Sequence, residues 1–469
     1  MKKPEHRHTR FFAVLLLAVF CPVLQAATPL RAEQAGIETL RPAAGPERET
    51  LEMLAGYLEL AALNNPELEA AFYRWKSALE KIPQAGSLPD PRFTFAYYIR
   101  NVETRVGPQQ ARLALFQTFP WFGVLGLKQS MAAREADAAR ARYDALKFKV
   151  FYDVKNAFYE YAYLAQAVET TAQDVELLRY LENVARVRYT AGAAPYTDLL
   201  KMQVQLGRVE DRLKTLQDLR KPIGARLAAA VYAPPDTEFP WPPSIPVMRL
   251  SLTDEELSDL LVEGNPRIES YEHLEAMEKA SMDLAAKAYY PEITFGLEDI
   301  VTGQARIPNV PDSGKDAVIA SVTINIPLWR DRRRAAVRES RARMAAASRN
   351  TESLKRSLTS DMELALYEYR DAQRKMDLYR NTLIPKAEEA LAVTLQGYQA
   401  GTQTSLDLID AEQTRLEFEL SFLRGLADQA QRVADLEWII GREIPCEIHG
   451  IILPKTALPR QEGPGKTRH

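Results

Sequence analysis

The chain has 469 residues, which at about 150 per domain allows two or three domains. Hydrophobic residues make up 46% and charged residues 26%, which excludes a disordered composition. A formal net charge of −3 gives no support to a nucleic-acid partner, and five histidines with two cysteines leave little room for histidine catalysis, a zinc centre or a disulfide scaffold.

Lys2, Lys3, Arg7 and Arg10 precede an apolar run at 11–20, which is the pattern of a secretory signal peptide. The run is shorter than the roughly 20 residues a membrane helix needs. Pro22 ends it, and Ala26 offers a small-residue cleavage point. Bulky Phe20 before Cys21 and Pro22 after it argue against lipidation of Cys21. No later segment has 18 consecutive apolar residues.

The remaining chain repeats itself once. Asn65-Pro66 returns as Asn265-Pro266, and Pro91, Thr94 and Phe95 return as Pro291, Thr294 and Phe295, all at an offset of 200. The offset then grows: Pro120 matches Pro327, AFYEY at 157–161 matches ALYEY at 365–369, and YTAG at 189–192 matches YQAG at 398–401. Most of the drift falls between two strand candidates, where a loop absorbs insertions. Six prolines in residues 233–246 separate the halves.

Each half reads helix, strand, strand, long helix, helix. Asn65 and Asn265 suit an N-cap followed by proline at the first helical position. Phe93, Phe95, Tyr97 and Ile99 alternate along a first strand, and 113–119 can return as a second. In the second half Ile293, Phe295 and Leu297 alternate. Val318, Ala320, Val322, Ile324 and Ile326 then face one way, and Ser321, Thr323 and Asn325 the other. Such faces suit a water-filled barrel and equally an ordinary half-buried sheet. The polar connections at 100–111 and 299–316 read as exposed loops.

The long helices are the strongest signal. Residues 127–189 would span about 95 Å, and 330–398 about 104 Å. Val150, Val154, Ala157, Tyr161, Leu164 and Val168 form a heptad seam. Leu358, Met362, Ala365, Tyr369, Ala372, Met376, Tyr379 and Leu383 form a second, and Pro385 should kink it or mark an irregularity. Four strands cannot close a barrel, so closure needs several copies; three would supply twelve strands.

With these features the chain resembles the TolC-like outer-membrane efflux proteins over residues 50–441. The carrying residues are the two Asn-Pro pairs, QAGSLPDP at 84–91, FPW at 119–121, Tyr290-Pro291, Ile326-Pro327 and the paired segments at 188–198 and 397–411. The stretches at 84–91 and 119–121 look most like the heavy-metal efflux branch. The resemblance implies a mainly α fold with a small β portion. A trimeric 12-stranded outer-membrane β-barrel would be continued by a 12-helix periplasmic α-barrel, with two repeats per chain and both chain ends at an equatorial collar. It implies a homotrimer in outer-membrane lipid that docks on a periplasmic adaptor and an inner-membrane pump, of RND type. No cofactor and no nucleic acid is implied. The expected organisation is a signal peptide at 1–26, a flexible segment at 27–49 and a first repeat at 50–232. A linker at 233–250, a second repeat at 251–441 and a partly disordered tail at 442–469 complete it.

Gly192 and Gly401 follow the long helices and can take the positive φ that ends them. By resemblance they mark the periplasmic tips, where Tyr189, Gly192, Thr197, Gly401, Thr402 and Gln403 would dock an adaptor. Asp407 and Asp410 share one helical face and would line the closed entrance, six carboxylates in three copies. Asp198 and Tyr398 match a tip aspartate and tyrosine whose hydrogen bond would latch it. Gln403 stands where drug-efflux members often carry arginine. Cys446 and His449 have the spacing of half a metal site, read as accidental. The expected function is a passive exit duct of a tripartite efflux pump. The alternatives are a duct for type I protein secretion and a periplasmic coiled-coil scaffold without a pore. No nucleophile–base–acid or metal constellation suggests an enzyme.

Overall fold

A computed structural model describes residues 45–449. The expected signal peptide, and the tail beyond residue 449, lie outside the described residues. Among the described residues no helix is long and apolar enough to cross a membrane.

The first half opens with helices α1 (Pro46–Asn64) and α2 (Pro66–Gly86). Asn65 sits between them as an N-cap, its Oδ1 accepting from the amides of Glu67 at 2.8 Å and Leu68 at 2.9 Å. Strands β1 (Arg92–Thr104) and β2 (Gly107–Phe119) lead into α3 (Val124–Thr190), 67 residues and about 100 Å long. Then come α4 (Tyr196–Asp218) and α5 (Arg220–Val231). The break between them falls at Leu219, where Pro222 cannot donate the amide a continuous helix needs.

The second half runs β3 (Val247–Leu250), α6 (Asp254–Val262), α7 (Pro266–Lys287), β4 (Ile293–Thr302) and β5 (Ala317–Ile324). It continues through α8 (Arg330–Leu378), a π-helical turn (Tyr379–Leu383), α9 (Ile384–Ala400), α10 (Ser405–Ile440) and β6 (Cys446–His449). Asn265 caps α7 as Asn65 caps α2, and its amide also donates to the Ile439 carbonyl at 2.8 Å.

Four strands form one antiparallel sheet in the order β1-β2-β4-β5. The register aligns Phe93, Leu115, Leu297 and Ala320 across one face. That face is apolar and open: Phe93, Phe95, Tyr97, Phe295 and Val318 are each more than half exposed. Thr94, Arg112, Thr118, Thr294, Glu298 and Thr323 occupy the other face, where Arg112 pairs with Glu298 at 2.5 Å. Thr118 and Thr294 share a hydrogen bond there at 2.9 Å. Gly296 leaves room for the Phe116 ring; a Cβ would lie 2.6 Å from it.

Several expectations need correction. Residues 100–111 are not a loop: β1 and β2 extend through them to a turn at Arg105 and Val106, because backbone pairing continues past the apolar band. Residues 299–302 likewise extend β4, whereas β5 stops at Ile324, before Asn325 and Ile326. Helix α1 starts at Pro46, inside the segment expected to be flexible. The proline-rich linker is pinned to the helices. Tyr161 donates to the Phe239 carbonyl at 2.8 Å and stacks on Trp241 at 4.7 Å, while Thr50 donates to the Ser244 carbonyl at 3.0 Å. The linker then ends in β3, which pairs with β6 of the expected tail. Tyr369 donates to the Met248 carbonyl at 3.0 Å and accepts from the Leu250 amide at 3.1 Å, so this small sheet sits toward the C-terminal end of α8.

The first seam is buried from Val150 through Leu164, and the second from Leu358 through Met376. Past Met376 the buried position is Ile384 rather than Leu383, followed by Ala387 and Leu391. The π turn just before Pro385 inserts one residue and advances the apolar stripe by that residue.

Candidate functional site

The helical hairpins end in two equivalent turns. Gly192 has φ 72° and Gly401 φ 82°. At the first, Gly192 N donates to Tyr189 O at 2.9 Å and Ala193 N to Arg188 O at 2.8 Å. At the second, Gly401 N donates to Tyr398 O at 3.2 Å and Thr402 N to Gly397 O at 2.8 Å. Both are Schellman closures, in which glycine takes the left-handed conformation that L side chains resist. Thr402 adds a hydroxyl bond to Gly397 O at 3.1 Å, and the Gln403 amide donates to the same carbonyl. Tyr189 packs against Tyr196 with ring centroids 5.2 Å apart, and both stay substantially exposed beside exposed Thr197.

Asp407 and Asp410 are both exposed in the first turns of α10. Asp407 also closes a capping box. Its Oδ2 accepts from Thr404 N at 2.9 Å and Thr404 Oγ1 at 2.7 Å, while Thr404 Oγ1 accepts from Asp407 N at 3.2 Å. The backbone amide and hydroxyl of Thr404 hold this carboxyl below its ordinary range, so it is anionic at neutral pH. The pattern Thr404-x-x-Asp407 before an apolar run was available in the sequence as a helix-start signal.

Asp198 and Tyr398 are neighbours but form no hydrogen bond within the chain. Asp198 Oδ1 accepts from Ser405 Oγ at 2.9 Å, joining α4 to α10. The Tyr398 ring is buried, and its hydroxyl has no hydrogen-bond partner among the described residues. Burial and the Asp198 charge raise its pKa, and Arg188 opposes them. The Arg188 guanidinium lies 4.6 Å from the Tyr398 ring centroid and donates to Ala193 O at 3.0 Å. Arg188 thus brings a cation from α3 to the Tyr398 ring. Arg188 and Ser405 both lay within the quoted tip segments, but nothing local marks which side chain reaches across.

Behind the tips lies a buried ionic cluster that sequence reading missed. Arg415 of α10, 2% exposed, pairs with Asp174 of α3 and with Glu419. Glu412, fully buried, accepts from Gln205 of α4 at 3.0 Å, and Gln413 donates to Gln205 Oε1 at 2.7 Å. Burial and then Asp174 push the Glu412 carboxyl up to about 9. In the sequence these are ordinary polar positions on long charged helices. At the far end of α10, burial pushes the Cys446 thiol up to about 12, which disfavours the thiolate that a metal would bind.

A small antiparallel sheet with an open apolar face, carried on helical hairpins about 100 Å long, defines an outer-membrane channel with a periplasmic extension. The sequence profile described as outer membrane efflux protein matches residues 57–231 and 257–442, and the chain belongs to that family. It is 23% identical over 412 residues to the cobalt-zinc-cadmium resistance protein CzcC of Cupriavidus metallidurans, covering 86% of this chain and 92% of that one. It is 25% identical over 329 residues to the outer membrane protein OprJ of Pseudomonas aeruginosa, covering 67% and 64%. The crystal structure of the outer membrane protein VceC from Vibrio cholerae superposes with a TM-score of 0.69 at 20% identity, covering 86% of this chain and 100% of that one.

Proposed function

We propose that three copies of this chain form the exit duct of a tripartite pump for heavy-metal cations. The observation that carries the trimer is the open four-stranded sheet. Among the described residues strand β1 pairs only with β2 and β5 only with β4, so each copy offers two free edges under one apolar face. Pairing β1 of one copy with β5 of the next removes every edge at twelve strands. The exposed Tyr189, Gly192, Thr197, Gly401, Thr402 and Gln403 form the surface on which a periplasmic adaptor would dock, linking the duct to an inner-membrane pump of RND type. Asp407 and Asp410 from three copies would ring the entrance with six carboxylates, which concentrates cations and repels anions. The likeness to a cobalt-zinc-cadmium resistance protein supports metal cations as cargo.

A different latch is proposed from the hydrogen-bond pattern within the chain. Ser405 to Asp198, with Arg188 stacked over Tyr398, would hold the two tips of one chain together. Tyr398→Phe removes only an unpartnered hydroxyl and should leave leak conductance unchanged, whereas Arg188→Ala should raise it. The function is tested by co-purifying the adaptor and measuring metal and drug sensitivity of a deletion strain. Unchanged cobalt, zinc and cadmium sensitivity would reject the metal assignment.

A further inference from the structure

The outer face of β5 does not end with the strand. Val318, Val322 and Ile324 are exposed along it, and the apolar surface continues through Ile326, Leu328 and Trp329, which are 74%, 71% and 76% exposed. The next residue starts α8 and the chemistry reverses. Arg330, Arg332, Arg333 and Arg334 fall within five residues, with Asp331 as the one acid among them.

Arg333 is committed to the fold, donating to Ala288 O at 2.6 Å and Trp329 O at 3.2 Å. Arg334 meets Asp331 at 3.5 Å with both side chains exposed, a weak pair. The Arg330 and Arg332 side chains are exposed and have no ion pair or hydrogen bond among the described residues. This charge works against the helix, because positive side chains in a first turn oppose the macrodipole. The equivalent helix of the first repeat opens Val124-Leu125-Gly126-Leu127-Lys128, with no arginine, so starting a long helix here does not require the cluster.

The spacing suits a membrane boundary. Trp329 lies where an interfacial tryptophan belongs, at the end of the apolar band. Residues 330–334 descend about 6 Å, matching a headgroup layer of about 5–7 Å. Guanidinium groups bind phosphate through two parallel hydrogen bonds and are only weakly hydrated, so they suit that layer.

We propose that the apolar-to-basic step at residues 326–334 is a seat for anionic phospholipid in the periplasm-facing leaflet of the outer membrane. Trp329 sets the depth, and Arg330, Arg332 and Arg334 hold the phosphates. The inference rests on the outer-membrane placement of the sheet and adds a charge preference on one side of it. It also assigns that preference to the second repeat alone.

The test uses the full-length protein in nanodiscs of phosphatidylcholine with one fifth phosphatidylglycerol. Lipid retained after detergent exchange is weighed by native mass spectrometry. The wild type should retain phosphatidylglycerol above its bulk share. Arg330→Gln, Arg332→Gln and Arg334→Gln together should cut that enrichment, by up to about a hundredfold in binding constant for three surface charges. Lysine at the same three positions should restore most of it. Equal enrichment in wild type and glutamine variant overturns the proposal. So does a glutamine variant that dissociates into single chains with its lipid preference unchanged, since the cluster would then serve a neighbouring copy. If the variant does not assemble, quenching of wild-type fluorescence by brominated phosphatidylglycerol, relative to Trp329→Phe, must exceed quenching by brominated phosphatidylcholine; equal quenching overturns the proposal. Membrane fractionation separates the two readings: wild type absent from the outer-membrane fraction would sink the placement itself, whatever the lipid ratio.

Discussion

Glu412 offers a sharp test of how the hairpins are held together. Among the described residues its Oε1 and the Asp174 Oδ2 are both buried without a donor, and a proton kept on Glu412 and donated to Asp174 satisfies both. Arg415 faces three carboxyl groups, those of Asp174, Glu412 and Glu419, with Glu388 of α9 adding further negative charge on Glu419. Folding therefore raises the Glu412 carboxyl from 4.5 to about 9. The sign follows: the folded state binds this proton more tightly, so its stability is fullest below 4.5 and declines as pH rises toward 9. At pH 7, keeping this carboxyl protonated costs about 3 kcal/mol. Glu412→Gln keeps the geometry, since its carboxamide can accept from Gln205 and donate to Asp174. Thermal unfolding of the detergent-solubilised protein should show wild type and variant diverging from pH 5 to pH 9, with the variant increasingly the more stable. Glu419, also raised by burial, contributes to both proteins and cancels in the difference. Parallel curves across that range, or a variant less stable than wild type at pH 8, would refute the proton kept on Glu412.

Three further outcomes are expected. Arg415→Met strands Asp174 and Glu419 without their cation and should destabilise the chain by about 3–5 kcal/mol, measured by denaturant unfolding in detergent, with Arg415→Lys restoring part of it. Gly296→Leu forces a side chain against Ser321 Oγ and against the Phe116 ring, which lies 2.6 Å from the new Cβ, and should deplete the heat-modifiable outer-membrane species; adding Phe116→Ala should recover some of it. Asp407→Asn with Asp410→Asn should lower cation preference in single-channel recordings, and Asp407→Asn alone should weaken the start of α10 through its capping box, read as lost helix protection in amide exchange.

Periodicity made most of the fold legible. The alternation of Phe93, Phe95 and Tyr97 and the heptads from Val150 and Leu358 depend only on which face is apolar, and the structure keeps those faces. Strand length was less legible, because beyond the apolar band β1 and β2 are held by backbone hydrogen bonds, which leave no composition signal. Pro385 marked an irregularity but not its kind. Nothing in the residues says that the helix would absorb it as a π turn and shift the seam from Leu383 to Ile384. At the tips, Gly192 and Gly401 declared themselves because their backbone conformation favours glycine. Arg188 over Tyr398 did not, because a cation above a ring needs no particular spacing in the chain.

The contacts that join the two repeats follow a rule that the repeat itself contains. Ser405 meets Asp198 and Glu412 meets Gln205, both 207 residues apart, and Gln413 meets Gln205 at 208. These separations are close to the offset of 209 that aligns YTAG with YQAG. Helices α4 and α10 are equivalent members of the two repeats and lie side by side at matching heights, so near-equivalent residues meet. The offset thus places polar partners opposite one another in helices that any local pattern would treat as solvent-exposed. One residue inserted between Asp198 and Gln205 would turn and lift the tip of α4 by about 100° and 1.5 Å relative to the rest of that helix. That would break the Ser405 contact while sparing those to Gln205, so the tip would separate from α10 before the buried cluster behind it does.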